Sequence, residues 1–424
     1  MKTDILMDHE PVADGGHLVR ALMILEGEPP SESTRTPLNL ALVLDRSGSM
    51  AGEPLAAARR AAAELVRRLW PEDTACVVAF DDTASVVAGP ASGPEHHATV
   101  RAIERIGPGG CTNLSGGWLL GRELAAGCHE EGRVSRIILL TDGLANRGIT
   151  DPAALAGLCR EAADGGITTT TIGFGPHFDE DLLRAMADAG SGGAYYVERV
   201  DQTVGIFAEE LEGLMSLAAQ NVRVSVTPGP ATDDVTVLHD YPMSAEGDTA
   251  TLEVGDLYGR EPRRILFRFL VRPARQGAPG EEPEALDVAR VRVTAQVITG
   301  TGSVEQRTID LPLSFSPSEG ATVHPEIRKE VLLVEAARAR EEALQRREAG
   351  DWQGAARAMH AAADHLRMSC PGDAAVEEEA RDLRSSAVLC EQGPLMAEDV
   401  KYLKHRIYVS MRSRQGAKEK LRRD

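Results

Sequence analysis

Three oxygen-bearing side chains stand at alternate positions in the segment DRSGSM. They are Asp45, Ser47 and Ser49, and they follow the apolar run LNLALVLD (38–45), which is typical of a buried parallel strand. In a tight loop at the end of that strand, the two-residue spacing turns all three side chains towards one point, and Gly48 lets the loop fold over. The segment therefore predicts a place where three oxygen ligands converge.

Two further loops carry oxygen ligands of the same kind. Thr112 lies in the glycine-rich segment GPGGCTNLSGG before a predicted helix, and Asp142 follows directly after the apolar run RIILLT. We expect all these loops on one edge of a parallel sheet, where open α/β sheets bind ligands. Hydroxyl and carboxylate oxygens without His or Cys favour a hard cation, with Mg²⁺ as the first choice and Mn²⁺ or Ca²⁺ as alternatives. Because few of these ligands are charged, an open coordination position would attract a carboxylate from outside.

The elements that must position these loops alternate along residues 37–220. Short apolar runs predict strands, and stretches with helical spacing predict the helices between them. The predicted strands cover residues 38–45, 74–82, 84–89, 136–143, 168–175 and 194–198. The predicted helices begin at Pro54 and near residues 97, 113, 151, 181 and 201. This alternation predicts an α/β domain with a parallel sheet covered by helices on both faces.

The remainder of the chain changes its pattern twice. Residues 221–318 contain short alternating or apolar runs separated by turns rich in Pro, Gly and Asp, which predicts an all-β, antiparallel sandwich. Residues 1–36 hold one strand candidate, 17–27, between polar loops, and we expect this strand to join the sandwich because a lone strand is not stable. Residues 323–424 predict an all-α region that begins with a helical hairpin turning at Gly350 and ends in a basic tail.

Composition narrows the class of protein. Subtracting 65 acidic residues from 46 basic ones gives a net charge of −19, which argues against nucleic-acid binding. The segment MKTDILMDHEPVADGG lacks the basic start and apolar run of a signal peptide, and no window approaches the roughly 20 apolar residues of a membrane helix. Six cysteines without a CxxC pair are typical of thiols in a reducing compartment. We therefore expect a cytoplasmic protein without a membrane partner.

The five candidate ligands resemble the metal-ion-dependent adhesion site of von Willebrand factor A domains. Asp45, Ser47 and Ser49 match the DxSxS motif of that site, while Thr112 and Asp142 match its threonine and its second aspartate. The resemblance implies a Rossmann-like fold, a bound divalent cation and a non-enzymatic role. In that role, the cation binds an Asp or Glu side chain of a protein partner.

The resemblance covers residues 37–220, which is less than half of the chain. The whole layout is more loosely similar to bacterial proteins related to calcium-activated chloride channel regulators and inter-alpha-trypsin inhibitor heavy chains, which combine such a domain with β-rich flanks. No membrane span, signal peptide or protease motif is visible in the sequence. Channel regulation and secretion are therefore not implied.

Two alternatives to a protein-binding module stay open at this point. The cation could act as a Lewis acid in a metal-dependent hydrolase or enzyme-complex subunit, although the sequence offers no general base beyond the ligands themselves. The cation could also be purely structural and tie the loops together. Each alternative predicts a different response to removal of the metal, in turnover or in thermal stability.

Three neighbouring residues are weaker candidates for a role at the site. Asp81 and Asp82 follow a strand that we place at the other end or flank of the sheet. They could reach the metal, but a turn role is the more common one. Arg46 occupies a variable position of the DxSxS motif, so we expect it to point to solvent and to contact an acidic group of a partner.

Overall fold

The computed structural model describes residues 1–12, 16–28, 35–130, 132–175, 177–197, 199, 202–259, 261–272, 285–299, 303–316, 323–391 and 396–412. The strands are β1 (Lys2–Pro11), β2 (His17–Glu26), β3 (Leu38–Asp45), β4 (Thr74–Phe80), β5 (Ala84–Ser92), β6 (Val134–Thr141), β7 (Ile167–Phe174), β8 (Ser191–Val197), β9 (Leu217–Pro228), β10 (Thr232–Val237), β11 (Met243–Glu246), β12 (Thr249–Tyr258), β13 (Arg263–Val271), β14 (Leu286–Ile298) and β15 (Val304–Phe315). The α-helices are α1 (Glu53–Arg67), α2 (His96–Glu104), α3 (Leu114–Gly127), α4 (Pro152–Asp164), α5 (Glu180–Ala189), α6 (Thr203–Met215), α7 (Pro325–Glu348), α8 (Trp352–Ser369), α9 (Ala374–Glu391) and α10 (Ala397–Met411). The predicted basic tail begins at Lys401 within α10, and its part after residue 412 lies outside the described residues.

The α/β part contains a six-stranded sheet with the order β5-β4-β3-β6-β7-β8. Strands β3, β4, β6, β7 and β8 are parallel, as predicted, but the edge strand β5 runs antiparallel to β4. A parallel neighbour needs a crossover of a dozen or more residues. Only a short turn, in which the Asp81 N–H donates to the Thr83 carbonyl at 3.0 Å, separates β4 from β5. The prediction of a wholly parallel sheet was therefore wrong at this edge.

Helices cover both faces of this sheet, as the alternating sequence predicted. Every residue of β3, β6 and β7 is buried. Leu40, Leu42 and Leu44 of β3 face a core formed with α1, α2 and α6, whereas Ala41 and Val43 face a second core formed with α3, α4 and α5. Since alternate residues of a strand point to opposite faces, one apolar run supplies both cores.

Two antiparallel sheets form the β-rich part. Their strand orders are β1-β2-β13-β10 and β11-β12-β9-β14-β15, and one apolar core draws side chains from both sheets. The strand candidate at 17–27 lies in the first sheet as β2, where it pairs with β13. Residues 2–11, which we predicted as polar loop, form β1 instead. Apolar and polar residues alternate only weakly in this segment, so its sequence alone gives little indication of a strand. The segment is a strand because it pairs with β2 along its whole length.

The C-terminal part is helical, as predicted. Helices α7 and α8 form the expected hairpin, with Gly350 in the left-handed region at φ +79° and the Asp351 side chain accepting from the Gly354 N–H at 2.8 Å. Arg340 of α7 is fully buried and pairs with Glu379 and Asp382 of α9. Among the described helices, none is long and apolar enough to cross a bilayer.

A fully buried ionic cluster joins the α/β part to the β-rich part. Arg136 of β6 pairs with Asp256 of β12 and lies 3.6 Å from the Glu210 carboxylate of α6. Arg136 also donates to the Thr170 hydroxyl at 2.9 Å. Burial alone would lower the pKa of the Arg136 guanidinium, but the two carboxylates hold that pKa above its usual range. This ionic cluster is closed to water, and it lies in a contact that also has an apolar part, since Leu217, Tyr258 and Ile298 of the β-rich strands join the core formed with α1 and α6.

Helix α10 of the helical part contacts α5 of the α/β part through ion pairs. Lys401 donates to the Glu180 carboxylate at 2.8 Å and to the Phe178 carbonyl at 2.7 Å, and Lys404 donates to Glu180 at 2.7 Å. Arg412 pairs with Asp188 at 2.7 Å. Since basic groups of one helix meet acidic groups of the other, this contact should weaken when the acids are protonated.

Glu180 makes that expectation testable. Burial alone would raise the pKa of its carboxyl, but hydrogen bonds from Lys401 and Lys404 outweigh burial and lower the pKa to about 2. This folded pKa is below the unfolded value of about 4.3. The stability that Glu180 contributes is therefore fully present above about pH 4.3 and is lost as the pH falls towards 2.

We expect acidification from about pH 5 to about pH 2.5 to remove roughly 1–2 kcal/mol of unfolding free energy through Glu180, after allowance for its partial exposure. The variant Glu180→Gln should lack that part of the acid sensitivity. Urea unfolding of both proteins at the two pH values measures the difference. An acid sensitivity of equal size in both proteins would show that Glu180 has no such role.

Candidate metal centre

Asp45 ends β3 at the centre of the sheet, and its side chain is fully buried. One carboxylate oxygen accepts the Ser47 backbone N–H at 2.7 Å, and the other accepts the Thr141 hydroxyl at 2.5 Å. The first bond folds the DRSGS loop back over the strand end. The second bond fixes the carboxylate against β6, the neighbouring strand.

The remaining predicted ligands lie beside Asp45. The Ser47 and Ser49 hydroxyl oxygens are 3.1 Å apart, and the Ser49 hydroxyl donates to an Asp142 carboxylate oxygen at 2.7 Å. Thr112 lies against Gly143, the residue that follows Asp142. A Cβ built on Gly143 would be 3.0 Å from the Thr112 hydroxyl oxygen. The structure thus brings the predicted residues from three loops to one edge of the sheet.

The two carboxyl groups are in an environment that disfavours their negative charge. Burial raises the pKa of the Asp45 carboxyl to about 6, although hydrogen bonds from Thr141 and Ser47 oppose that rise. Burial also raises the pKa of Asp142, and the Ser49 hydrogen bond opposes it. Two partly desolvated carboxylates in one site favour a compensating positive charge.

The glycine-rich loop before α3 is held in place by backbone hydrogen bonds. The Gly48 N–H donates to the Gly110 carbonyl at 2.8 Å, and the Gly109 N–H donates to the Arg46 carbonyl at 2.6 Å. A Cβ at Gly109 would lie 1.9 Å from the Asp81 carboxylate, and a Cβ at Gly110 would lie 1.8 Å from the Asp82 carboxylate. A larger residue at either position would therefore have to displace an aspartate side chain. This close approach sets the path of the chain into Thr112.

Our placement of Asp81 and Asp82 at the other end or flank of the sheet was wrong. Phe80 is the register partner of Asp45, so the parallel strands bring both aspartates to the same edge as the site. The Asp81 carboxylate accepts the Thr83 N–H at 3.1 Å, which is a turn role, and it pairs with Arg46 at 2.9 Å. Arg46 therefore points to an acidic group of its own chain and is 30% exposed.

Sequence reasoning missed three residues that hold the site together. Thr141 orients Asp45, as described above, and Asn146 accepts the Thr112 N–H at 3.1 Å. Asn113 caps α3 by accepting the Gly116 N–H at 3.0 Å. An asparagine directly before a helix is a local capping signal that could have revealed Asn113. Thr141 and Asn146 carry no such signal, because their roles arise only where separate loops meet.

The donor atoms suit a hard divalent cation. An octahedral Mg²⁺ with ligands at about 2.1 Å places neighbouring ligand oxygens about 3 Å apart. The Ser47–Ser49 and Ser49–Asp142 oxygen separations of 3.1 Å and 2.7 Å are close to that spacing. In the described part of the chain, no group of three or more His, Cys, Asp or Glu side chains could hold a metal. A cation at this edge would therefore depend mainly on hydroxyl oxygens.

Comparison with known proteins gives an independent view of the chain. The family model of the von Willebrand factor type A domain matches residues 39–209. The uncharacterized protein sll0103 of Synechocystis sp. is 31% identical over 347 residues, which are 78% of this chain and 78% of that protein. Inter-alpha-trypsin inhibitor heavy chain H1 of Mesocricetus auratus is 30% identical over 206 residues, or 46% of this chain. That match spans 22% of the heavy chain, so it concerns one part of it.

Two solved structures share the fold over nearly the whole chain. A von Willebrand factor type A protein from Catenulispora acidiphila superposes with a TM-score of 0.68 at 18% identity, covering 91% of this chain and 96% of that one. The ArnB paralog VWA2 from Sulfolobus acidocaldarius gives a TM-score of 0.57 at 16% identity and covers 97% of both chains. The α/β, β-rich and helical parts therefore occur together in other proteins.

Proposed function

Because this chain belongs to the von Willebrand factor type A domain proteins, we propose that it binds another protein through a divalent cation held by Ser47, Ser49, Thr112, Asp45 and Asp142. Domains of this family generally mediate protein–protein interaction. The observation that most supports a metal-dependent version here is the hydrogen-bonded series Ser47–Ser49–Asp142 beside the buried Asp45 carboxylate. Mg²⁺ is the proposed cation, with Mn²⁺ or Ca²⁺ as alternatives.

Each residue of the site has a distinct proposed role. The hydroxyl oxygens of Ser47, Ser49 and Thr112 would be direct ligands, since they are neutral donors close to one another. Asp45 and Asp142 would supply negative charge through waters or at longer reach, and Asp45 also holds the loop through the Ser47 N–H. When bound, the cation supplies an electrophilic position with neutral ligands, which favours a carboxylate from outside.

The proposed partner is a cytoplasmic protein that offers an Asp or Glu side chain. The proposed role is not enzymatic. Among the described residues, the Asp45 and Asp142 carboxylates are bonded to the site's own hydroxyl and N–H groups. Asp81 and Asp82, at the same edge of the sheet, pair with Arg46 and Arg147. A hydrolase would need a further base within about 3 Å of a reacting water.

A pull-down from a cell lysate tests this function. Immobilised wild-type chain and the variant Asp45→Ala are each incubated with Mg²⁺ and with EDTA. We expect a set of proteins that the wild type captures in Mg²⁺ but neither in EDTA nor through the variant. Identical captured sets under all four conditions would contradict a metal-dependent interaction.

A matched control separates loss of the site from loss of a charge. Asp233 is half exposed and pairs with Arg272 in the β-rich part, remote in sequence from the site. The variant Asp233→Ala removes one carboxylate and should capture the same Mg²⁺-dependent set as the wild type. If Asp233→Ala loses that set as well, the effect of Asp45→Ala is not specific to the site.

A further inference from the structure

Two large apolar side chains are exposed on the loop that carries Asp142. Leu144 is 57% exposed and Ile149 is 37% exposed, whereas most large aliphatic residues of the α/β part are buried. The Cα of Leu144 lies within about 7 Å of that of Asp142, because two extended residues span no more than that distance. An apolar surface therefore adjoins the candidate metal centre.

Hydrogen bonds tie this loop to the loop that carries Thr112 and to the first turn of α3. Asn146 makes two hydrogen bonds with Thr112, through its side chain at 3.1 Å and its backbone N–H at 3.3 Å. The Ile149 N–H donates to the Ser115 hydroxyl at 2.8 Å. Gly148, at φ +73°, packs so closely against Ser115 that a Cβ would lie 2.3 Å from its hydroxyl. The backbone on both sides of the exposed apolar residues is therefore anchored to neighbouring elements.

Two arginines near the site are already paired with acidic groups of this chain. Arg46 pairs with Asp81 at 2.9 Å, and Arg147, which is 56% exposed, pairs with Asp82 at 3.3 Å. These pairs give the rim no large excess of either charge. The cation itself would be the dominant positive charge, and it would attract a single carboxylate. The exposed apolar side chains of Leu144 and Ile149 can then add selectivity beyond that carboxylate.

We propose that the site takes an extended segment of a partner in which an Asp or Glu is flanked by aliphatic side chains. The carboxylate binds the cation, and the flanking aliphatic groups cover Leu144 and Ile149. Burial of these aliphatic surfaces removes apolar area from water, and a loop already anchored by hydrogen bonds loses less conformational entropy on binding. This inference rests on the function proposed above and adds a sequence preference to it.

Fluorescence polarisation with labelled peptides tests the preference on the full chain. The probes are a heptapeptide with a central Asp between two Leu residues, the same peptide with Ser in place of both Leu, and the Leu peptide with Asn in place of Asp. In Mg²⁺, the Leu–Asp–Leu peptide should bind about tenfold more tightly than the Ser–Asp–Ser peptide. The Asn peptide should not bind even in Mg²⁺, and EDTA should abolish binding of both Asp peptides.

The double variant Leu144→Ser/Ile149→Thr should reduce this tenfold ratio to about one, because the apolar contact is gone. The variants Met243→Ser and Met368→Ser, which change methionines that are 60% and 76% exposed elsewhere, serve as controls and should keep the ratio. Equal or absent binding of the two Asp peptides to the wild type, or an unchanged ratio in the double variant, would overturn the inference.

Titration of Mg²⁺ into the chain without peptide distinguishes this failure from failure of the proposed function. If Mg²⁺ binds the wild type and the double variant equally while the peptides show no preference, only the inference is wrong. If Mg²⁺ does not bind the wild type, both the proposed function and the inference are wrong.

Discussion

The variant Asp45→Asn should abolish the stabilisation that Mg²⁺ gives to the protein. Mg²⁺ at about 100 times its Kd should stabilise the wild type by roughly 2.7 kcal/mol. That free energy corresponds to a rise in Tm of roughly 5–10 °C for a domain of 150–250 residues. In the variant we expect a rise of less than about 1 °C, because the site has lost the buried charge that the cation compensates. Differential scanning calorimetry with and without Mg²⁺ measures both values.

The same substitution should not weaken the metal-free protein. Asparagine can still accept the Ser47 N–H, and its amide can donate to the Thr141 oxygen, so both hydrogen bonds of Asp45 have a replacement. A fully buried charge is removed, which lowers the cost of desolvation. We therefore expect the Tm of the metal-free variant to equal or exceed that of the metal-free wild type. A full Mg²⁺ response in the variant, or a large fall in its metal-free Tm, would contradict this account of Asp45.

The second large effect concerns the buried ionic cluster between the α/β part and the β-rich part. Arg136→Met should lower the free energy of unfolding by about 3–5 kcal/mol, because removing one partner of a buried pair leaves the other uncompensated. Asp256 and Glu210 would keep their buried carboxylates without the guanidinium, at positions that are 0% and 1% exposed. Urea unfolding followed by circular dichroism measures the change.

An exposed ion pair provides the matched control for Arg136. Arg292 of β14 pairs with Asp310 of β15 at 2.7 Å, and both side chains are about half exposed, at 53% and 50%. Arg292→Met should therefore leave the free energy of unfolding nearly unchanged, because solvent screens an exposed pair. An equal loss of unfolding free energy in the two variants would show that burial does not make the Arg136 cluster more important for stability than an exposed ion pair.

The candidate site could be predicted from sequence because its signals are local. The spacing of Asp45, Ser47 and Ser49 after a buried strand is visible in six residues. The glycine-rich segment around Thr112 and the apolar run before Asp142 indicate where the other two loops lie. The hydrogen bonds that hold the loops together could not be predicted from sequence. Thr141 and Asn146 act across separate segments, and their partners are known only once the strand order is known.

The errors in the fold have the same origin. The direction of β5 depends on the short turn that precedes it, and the wrong location of Asp81 followed from not knowing that Phe80 pairs with Asp45. Strand β1 carries too weak an alternation to be recognised alone, and its pairing with β2 determines its structure. Apolar periodicity was sufficient for the central strands and the helices, which are long and strongly patterned.

The most direct test of the central claim is anomalous diffraction from crystals of the full chain grown with Mn²⁺. We predict one strong anomalous peak bonded to the hydroxyl oxygens of Ser47, Ser49 and Thr112, and its absence from Asp45→Asn crystals grown in the same way. No peak at this position in wild-type crystals, or a peak of equal height in the variant, would contradict the claim that these residues hold a divalent cation.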